Sequence, residues 1–178
     1  MEKLRRWEVI HRNIPTQSIG AEVGVFKGKT SRYLLENMPM LTLYMVDRWQ
    51  PYQPHEQEEP PPRMSNVTKK QWANIEKKVR KIQRKYKDRA FIIKDDSTLA
   101  ACRFVDASLD FVFIDANHKY EYVKRDIEAW LPKVKPCGLL MGHDITRADV
   151  EKAVNETGMP VSYDHDKVWI IRKAYEAL

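Results

Sequence analysis

Five short apolar runs, each with an acidic residue at or just beyond its carboxyl end, constrain this chain more than any other feature. They are Ile19–Gly24, Leu41–Val46, Phe91–Lys94, Leu109–Ile114 and Gly138–Gly142, and the acids are Glu22, Asp47, Asp96, Asp115 and Asp144. Runs this short, bounded by polar and turn residues, read as strands. Leu109–Ile114 is almost continuously apolar, as expected for a strand buried on both faces. Between the runs lie helical patterns: Glu2–Arg12 as a lead-in helix, Thr30–Asn37, Tyr120/Val123/Ile127/Trp130, and Arg147–Glu156 closed by Gly158. Trp72, Ile75, Val79, Ile82 and Tyr86 follow one another at 3-4-3-4 spacing, an amphipathic helix with its basic residues on the outer face. Val161–His165 and Lys167–Arg172 read as a terminal antiparallel hairpin. Strands alternating with helices predict an α/β, doubly wound, mostly parallel sheet of seven strands, with helices on both faces. No internal repeat or second domain interrupts residues 1–178.

In such sheets ligands bind outside the carboxyl ends of the strands, where strand order reverses. The first turn is Gly20-Ala-Glu22-Val-Gly24-Val-Phe-Lys-Gly28, an acidic–x–Gly–x–x–x–Gly pattern. Glycine there permits positive φ and close approach of a ligand. Asp47 follows at the end of the next run, at the distance where an acid accepts hydrogen bonds from ribose hydroxyls. The turn lacks the Gly-x-Gly-x-x-Gly dinucleotide pattern, and the Glu22 carboxylate would repel a pyrophosphate. These residues predict an adenosine-containing cofactor that is cationic near Glu22, as S-adenosylmethionine is.

Leu109 to Asp144 contains Asp115-Ala-Asn-His118-Lys-Tyr120 and Gly142-His143-Asp144. The stretch resembles class I S-adenosylmethionine-dependent methyltransferases with a Rossmann-like sheet. More narrowly it is similar to the group whose fourth strand ends in Asp-x-x-His-x-Tyr and whose fifth ends in Gly-His-Asp, akin to catechol-type and macrolide-sugar O-methyltransferases. The likeness covers about residues 18 to 172. One departure is Cys137, where the group carries glycine, with Gly138 expected to keep the turn. The resemblance implies that Glu22, Gly24 and Gly28 line the methionine part of the cofactor, that Asp47 holds the ribose diol, and that Asp96 and Ser97 sit by the adenine. Asp115 joins this cofactor-binding set. Asp95 is an alternative adenine contact, and Asp96 has the alternative role of capping a helix that starts near Leu99.

Asp115 and Asp144 end neighbouring strands, so their carboxylates are expected to converge. Two close carboxylates repel unless one is protonated or a cation lies between them. A divalent ion such as Mg²⁺ satisfies that requirement, and in catechol-type enzymes it grips the acceptor hydroxyl. Ile145 cannot ligate, so Asp115, Asp144 and His143 form the candidate metal set, with a metal-free site as the alternative. His118 is the candidate general base, because an unperturbed imidazole titrates near neutral pH. Its alternative role is that of a surface histidine capping the following helix. His143 is the second catalytic candidate, or else a residue packed beneath the fifth strand.

Composition bounds the partners. The chain carries 31 Lys/Arg against 25 Asp/Glu, a net charge of +6. Residues 66–89 hold ten of the basic residues against Glu76 and Asp88, or +8. The other 21 Lys/Arg face 23 Asp/Glu, or −2. The basic character therefore belongs to one helix, and it motivates nucleic acid as an alternative to a small-molecule acceptor. A third reading is a protein that binds the cofactor without turnover. Two dispersed cysteines, no signal-like start and no long apolar run predict a cytoplasmic protein with no membrane span. Pro51, Pro54, Pro60, Pro61 and Pro62 exclude a helix or central strand from residues 50–66, leaving a lid loop or an unstructured insertion. The short chain leaves few elements to cap the site, so a homodimer that covers it is expected.

Overall fold

The computed structural model describes residues 3–56 and 67–175. Seven strands form one sheet: β1 (Ser18–Val23), β2 (Leu41–Val46), β3 (Ala90–Ile93), β4 (Leu109–Ile114), β5 (Val134–Gly142), β6 (Val161–Asp164) and β7 (Val168–Arg172). Their order is β3-β2-β1-β4-β5-β7-β6. β1 to β5 run parallel, and β7 inserts antiparallel between β5 and β6. Strand order reverses between β1 and β4, which places the carboxyl ends of those two strands at the crevice where a ligand binds.

Strand alternation builds two cores. Phe111 and Phe113 of β4 join Leu43 and Met45 of β2 beneath helices α1 (Arg6–Asn13), α2 (Lys29–Asn37) and α3 (Lys69–Lys85). Val112 and Ile114 face the other way, against α4 (Ser97–Ala101), α5 (Tyr120–Trp130) and α6 (Ala148–Asn155). β4 is therefore buried on both faces, as its sequence predicts. Gly20 on β1 leaves the space taken by the Phe111 ring, which lies 2.2 Å from where a Cβ would stand.

The amphipathic helix forms as its spacing predicts, burying Trp72, Ile75 and Val79. Thr68 caps it: its hydroxyl accepts from the Gln71 amide, and the Gln71 side chain accepts from the Thr68 amide at 2.8 Å. Not all of its basic region is a free face. The Arg89 guanidinium donates to the carbonyls of Met38 and Leu35 and so closes the end of α2, while Arg80 and Lys94 share Glu76.

Several boundaries differ from expectation. β5 begins at Val134, before a register shift against β4 between Leu109 and Phe111. At that irregularity Cys137 itself takes the left-handed conformation (φ 63°). Gly138 does not carry the turn; it supplies room, since a Cβ there would stand 2.8 Å from the Asp110 carbonyl. The hairpin strands stop at Asp164 and restart at Val168, because Asp166 and Lys167 both adopt positive φ to reverse the chain. The lead-in helix spans only Arg6–Asn13, and Met1 and Glu2 lie outside the described residues. Of the proline-rich segment, Gln50–Glu56 is described and packs onto the cleft, ending in a 3₁₀ turn at Pro54–Glu56. Residues 57–66 lie outside the described residues. Among the described residues no helix is long and apolar enough to cross a membrane. Cys102 and Cys137 are both free and exposed.

Candidate active site

A cleft with about 680 Å³ of non-protein space, counted out to its mouth, opens at the carboxyl ends of β1, β2 and β4. Its lining includes Gly24, Asp47, Asp96, Ser97 and Asp115. The sequence reading thus places five of its residues around one cavity. Glu22 and Gly28 lie outside the lining. Gly28 opens α2 at φ 69° and packs against Ile82 and Val79 of α3. Glu22 is buried in β1, where its carboxylate accepts from the Ser31 hydroxyl. Burial, with help from the nearby Asp115 and Asp47 charges, pushes the Glu22 carboxyl up to about 8 against the lowering effects of Ser31 and Arg6.

Gly24 is required by the protein's own backbone. It sits at φ 91°, and a Cβ there would stand 2.1 Å from the Asp115 carbonyl oxygen. β1 and the β4–α5 turn meet at that point, and the Asp115 amide donates to the Val23 carbonyl at 2.8 Å.

Asp47 is no solvated strand-end acid. Its two oxygens accept from the amides of Phe26 (2.8 Å) and Trp49 (2.7 Å), which locks the β1–α2 turn to the end of β2. Burial raises its carboxyl while these amides and Arg48 oppose the rise. An ionised carboxylate has about four acceptor positions, so each oxygen keeps capacity for a ribose hydroxyl. Beside it, Arg48 pairs in a fork with Glu56 at 2.6 and 2.9 Å. Asn117 donates to the Glu56 carbonyl at 2.7 Å and Lys119 to the His55 carbonyl at 2.9 Å. These contacts strap residues 53–56 to the β4–α5 turn at the edge of the cleft.

At the far end of the cleft Asp96 caps α4, accepting from the Thr98 amide (3.1 Å) and hydroxyl (2.9 Å). The capping role weighed in the sequence reading is therefore present. Asp95 accepts from its neighbour's amide and from Arg103 at 2.5 Å. The Ser97 hydroxyl accepts from Trp130 Nε1 at 2.9 Å and is hydrogen-bonded to Asp126.

The near end joins a second group of residues through Asp115. His118 Nε2 stands 3.6 Å from Asp115 and 3.3 Å from Asp144. His143 Nδ1 repeats those distances, 3.6 and 3.3 Å, from the other side. The two carboxylates do converge, with an imidazole on either side. Asp115, His118 and Asp144 present ligand atoms within 4.8 Å of one another, the grouping that a metal ion needs. His118 therefore takes the third place expected of His143. His143 is only 7% exposed, and its ring nitrogens make no hydrogen bond of good geometry with a partner among the described residues. Burial would raise the Asp144 carboxyl, but His143, His118 and Lys167 together hold it well below the usual carboxylate range. Asp144 has a left-handed backbone (φ 57°) at the turn that follows β5.

Sequence reasoning missed four participants. Arg6 of α1 forms an ion pair with Asp115 and gives its amide to Asp166 at 2.9 Å. Asp166 lies 4.0 Å from His143 Nε2, and Lys167 lies 3.6 Å from Asp144. These three come from the chain's two extremities, and no local pattern joins them. Asp126 was legible: it falls on the apolar stripe of α5 between Val123 and Ile127, where an acid has no place unless it is used.

Several solved structures share the fold. The O-methyltransferase NovP superposes with a TM-score of 0.65 at 16% identity, covering 94% of this chain and 75% of its own. A protein of Staphylococcus aureus assigned as a caffeoyl-CoA O-methyltransferase gives 0.65 at 15% identity, covering 98% and 85%. An O-methyltransferase family protein of Burkholderia thailandensis gives 0.63 at 14%, covering 96% and 56%. Among curated sequences, the uncharacterized protein y4gI of Sinorhizobium fredii is 41% identical over 39 residues, a match of 22% of this chain and only 4% of that protein's length. The family model of the methyltransferase domain matches residues 21–145, well over half of the chain. The chain therefore belongs to the methyltransferase-domain family, whose members take S-adenosylmethionine as methyl donor.

Proposed function

We propose that this protein transfers the methyl group of S-adenosylmethionine to a hydroxyl of a small molecule. The observation that carries the reading is Asp115, which lines the cofactor cleft and also belongs to the Asp115–His118–His143–Asp144 cluster. A cofactor with its ribose at Asp47 and its adenine toward Ser97 would direct its sulfonium to that junction. In the transfer the acceptor oxygen gives its proton to His118 and attacks the methyl carbon. The C–O bond forms, the S–C bond breaks, and sulfur keeps the electron pair as S-adenosylhomocysteine. Asp115 and Asp144 on either side of His118 Nε2 stabilise the imidazolium that results. Alignment of donor and acceptor supplies roughly 7–11 kcal/mol of such a barrier, and a base adds about 10²- to 10⁴-fold.

Asp115, Asp144 and His118 would hold a divalent ion, an alternative to His118 acting as the base, and such an ion when bound lowers the pKa of the acceptor hydroxyl. A donor set with imidazole suits Mn²⁺ or Zn²⁺ better than Mg²⁺, which prefers an all-oxygen shell. Arg6 already neutralises Asp115, so an ion entering there has to displace it. Nucleic acid as acceptor draws its support from the basic outer face of α3 alone.

Calorimetric titration of the intact protein with S-adenosylhomocysteine tests the reading, with Asp47→Asn as the control that keeps side-chain shape. Micromolar binding that the variant loses is the expected result. A folded wild type that binds neither S-adenosylhomocysteine nor S-adenosylmethionine refutes it.

A further inference from the structure

Three buried side-chain atoms that line the cleft have no hydrogen-bond partner among the described residues: Trp72 Nε1, Arg125 Nε and Asp126 Oδ1. Two are donors, and Asp126 Oδ1 is the acceptor. A buried acceptor left without a donor costs about 1–3 kcal/mol, and a side chain that retains such a cost in a ligand cleft is a candidate for contact with the ligand. The other oxygens at this end are already engaged. Asp96 caps α4 and faces Arg125 at 3.3 Å, Asp95 holds Arg103, and the Ser97 hydroxyl serves Trp130 and Asp126.

We propose that Asp126 reads the adenine of the cofactor, its open Oδ1 accepting a hydrogen of the exocyclic N6 amino group while Ser97 holds the carboxyl in place. This assignment rests on the methyltransferase reading above. The amino group is the donor that marks adenine, and the adjacent ring nitrogen is an acceptor. Arg125, which also lines the cleft, has in Nε an unpartnered donor of the polarity that second atom needs. Hypoxanthine inverts the pattern: it places a carbonyl oxygen where Oδ1 needs a donor, leaving two acceptors face to face. Ser97 is hydrogen-bonded to the Asp126 carboxyl, and Oδ1 is the oxygen left without a partner among the described residues. Burial pushes the Asp126 carboxyl up to about 7, against the lowering effects of Ser97 and Arg125. This is the mark of a group whose desolvation is not yet compensated. Trp130, through Ser97, acts as a positioning residue: its indole N–H fixes the hydroxyl that fixes Asp126.

The test is calorimetric titration of the full chain with S-adenosylhomocysteine and with S-inosylhomocysteine, on wild type, Asp126→Ala and Asp126→Asn. Wild type is expected to favour the adenosyl ligand by about ten- to a hundredfold, the range of one hydrogen bond to a charged or strongly polar group. Asp126→Ala should lose most of that preference. Asp126→Asn, which keeps a carbonyl acceptor and side-chain shape, should retain most of it, and Asp126→Leu, which keeps the shape without an acceptor, stands in if the alanine variant does not fold. An Asp126→Ala or Asp126→Leu variant that binds the adenosyl ligand as tightly and as selectively as wild type overturns the proposal, as does an Asp126→Asn variant that loses the preference. So does a variant that weakens both ligands equally, because a purely structural role leaves the ratio unchanged. A wild type that binds neither ligand overturns the methyltransferase reading first and this assignment with it.

Discussion

Replacing Glu22 by Gln should stabilise the protein at neutral and alkaline pH, by an amount that grows with pH. Glu22 is 3% exposed, and its partner in β1 is the Ser31 hydroxyl of α2. Burial lifts its carboxyl from 4.5 to about 8. Below about pH 4.5 the group is protonated in the folded and the unfolded chain alike and contributes nothing to the difference. Between 4.5 and 8 the unfolded chain gives up its proton while the folded chain keeps it, so the folded state binds more protons and loses stability as pH rises. At about 1.4 kcal/mol per pH unit the loss across that window is roughly 5 kcal/mol, complete above pH 8. Glutamine keeps the shape and an acceptor for Ser31 but does not titrate. Urea denaturation at pH 5, 6, 7 and 8, followed by the fluorescence of buried Trp130 and Trp169, measures the difference directly. The two proteins should be similar near pH 5, and the variant should be more stable by several kcal/mol at pH 8. A wild type and variant with parallel pH profiles, or a variant less stable at pH 8, would refute the claim that Glu22 is held neutral by burial. A neutral Glu22 outside the cleft lining also offers no charge to a bound sulfonium, unlike the carboxylate its place in the sequence suggests.

Two further substitutions probe the site. Arg6→Gln removes the cation that neutralises Asp115 and should tighten Mn²⁺ binding about tenfold, or ~1.4 kcal/mol; calorimetry with Mn²⁺ alone checks this, and an unchanged affinity would show that arginine and ion do not compete. Gly24→Ala and Gly158→Ala separate backbone conformation from close contact, since both glycines have positive φ but only Gly24 faces a clash, with nothing within 4 Å of a Cβ at Gly158. Gly158→Ala should cost roughly 1–2 kcal/mol in thermal or urea unfolding, and Gly24→Ala more than about 4 kcal/mol or the fold itself.

Local chemistry made most of the architecture readable from sequence. Short apolar runs identified the parallel strands, and 3-4-3-4 spacing identified α3, because both patterns depend only on residues near one another in the chain. The acids at strand ends were legible for the same reason: a strand's end is a local property, and sheet topology then gathers those ends at one crevice. Cys137 shows where locality fails. Its departure from glycine was visible, but only the β4–β5 register shift decided that Cys137, and not Gly138, takes the left-handed turn. The same holds for function. The sequence determined that Asp47, Asp115 and Asp144 stand at the carboxyl ends of their strands, and the fold sets Asp47 and Asp115 in the cleft with His118 and His143 beside Asp115 and Asp144. Tertiary structure alone decided that Arg6 and Asp166, 160 residues apart, meet at the same site, that Glu22 turns inward, and that Asp126 keeps an open oxygen toward the cleft. Each of those outcomes depends on desolvation and on charges contributed by distant segments, which exist only once the chain has folded.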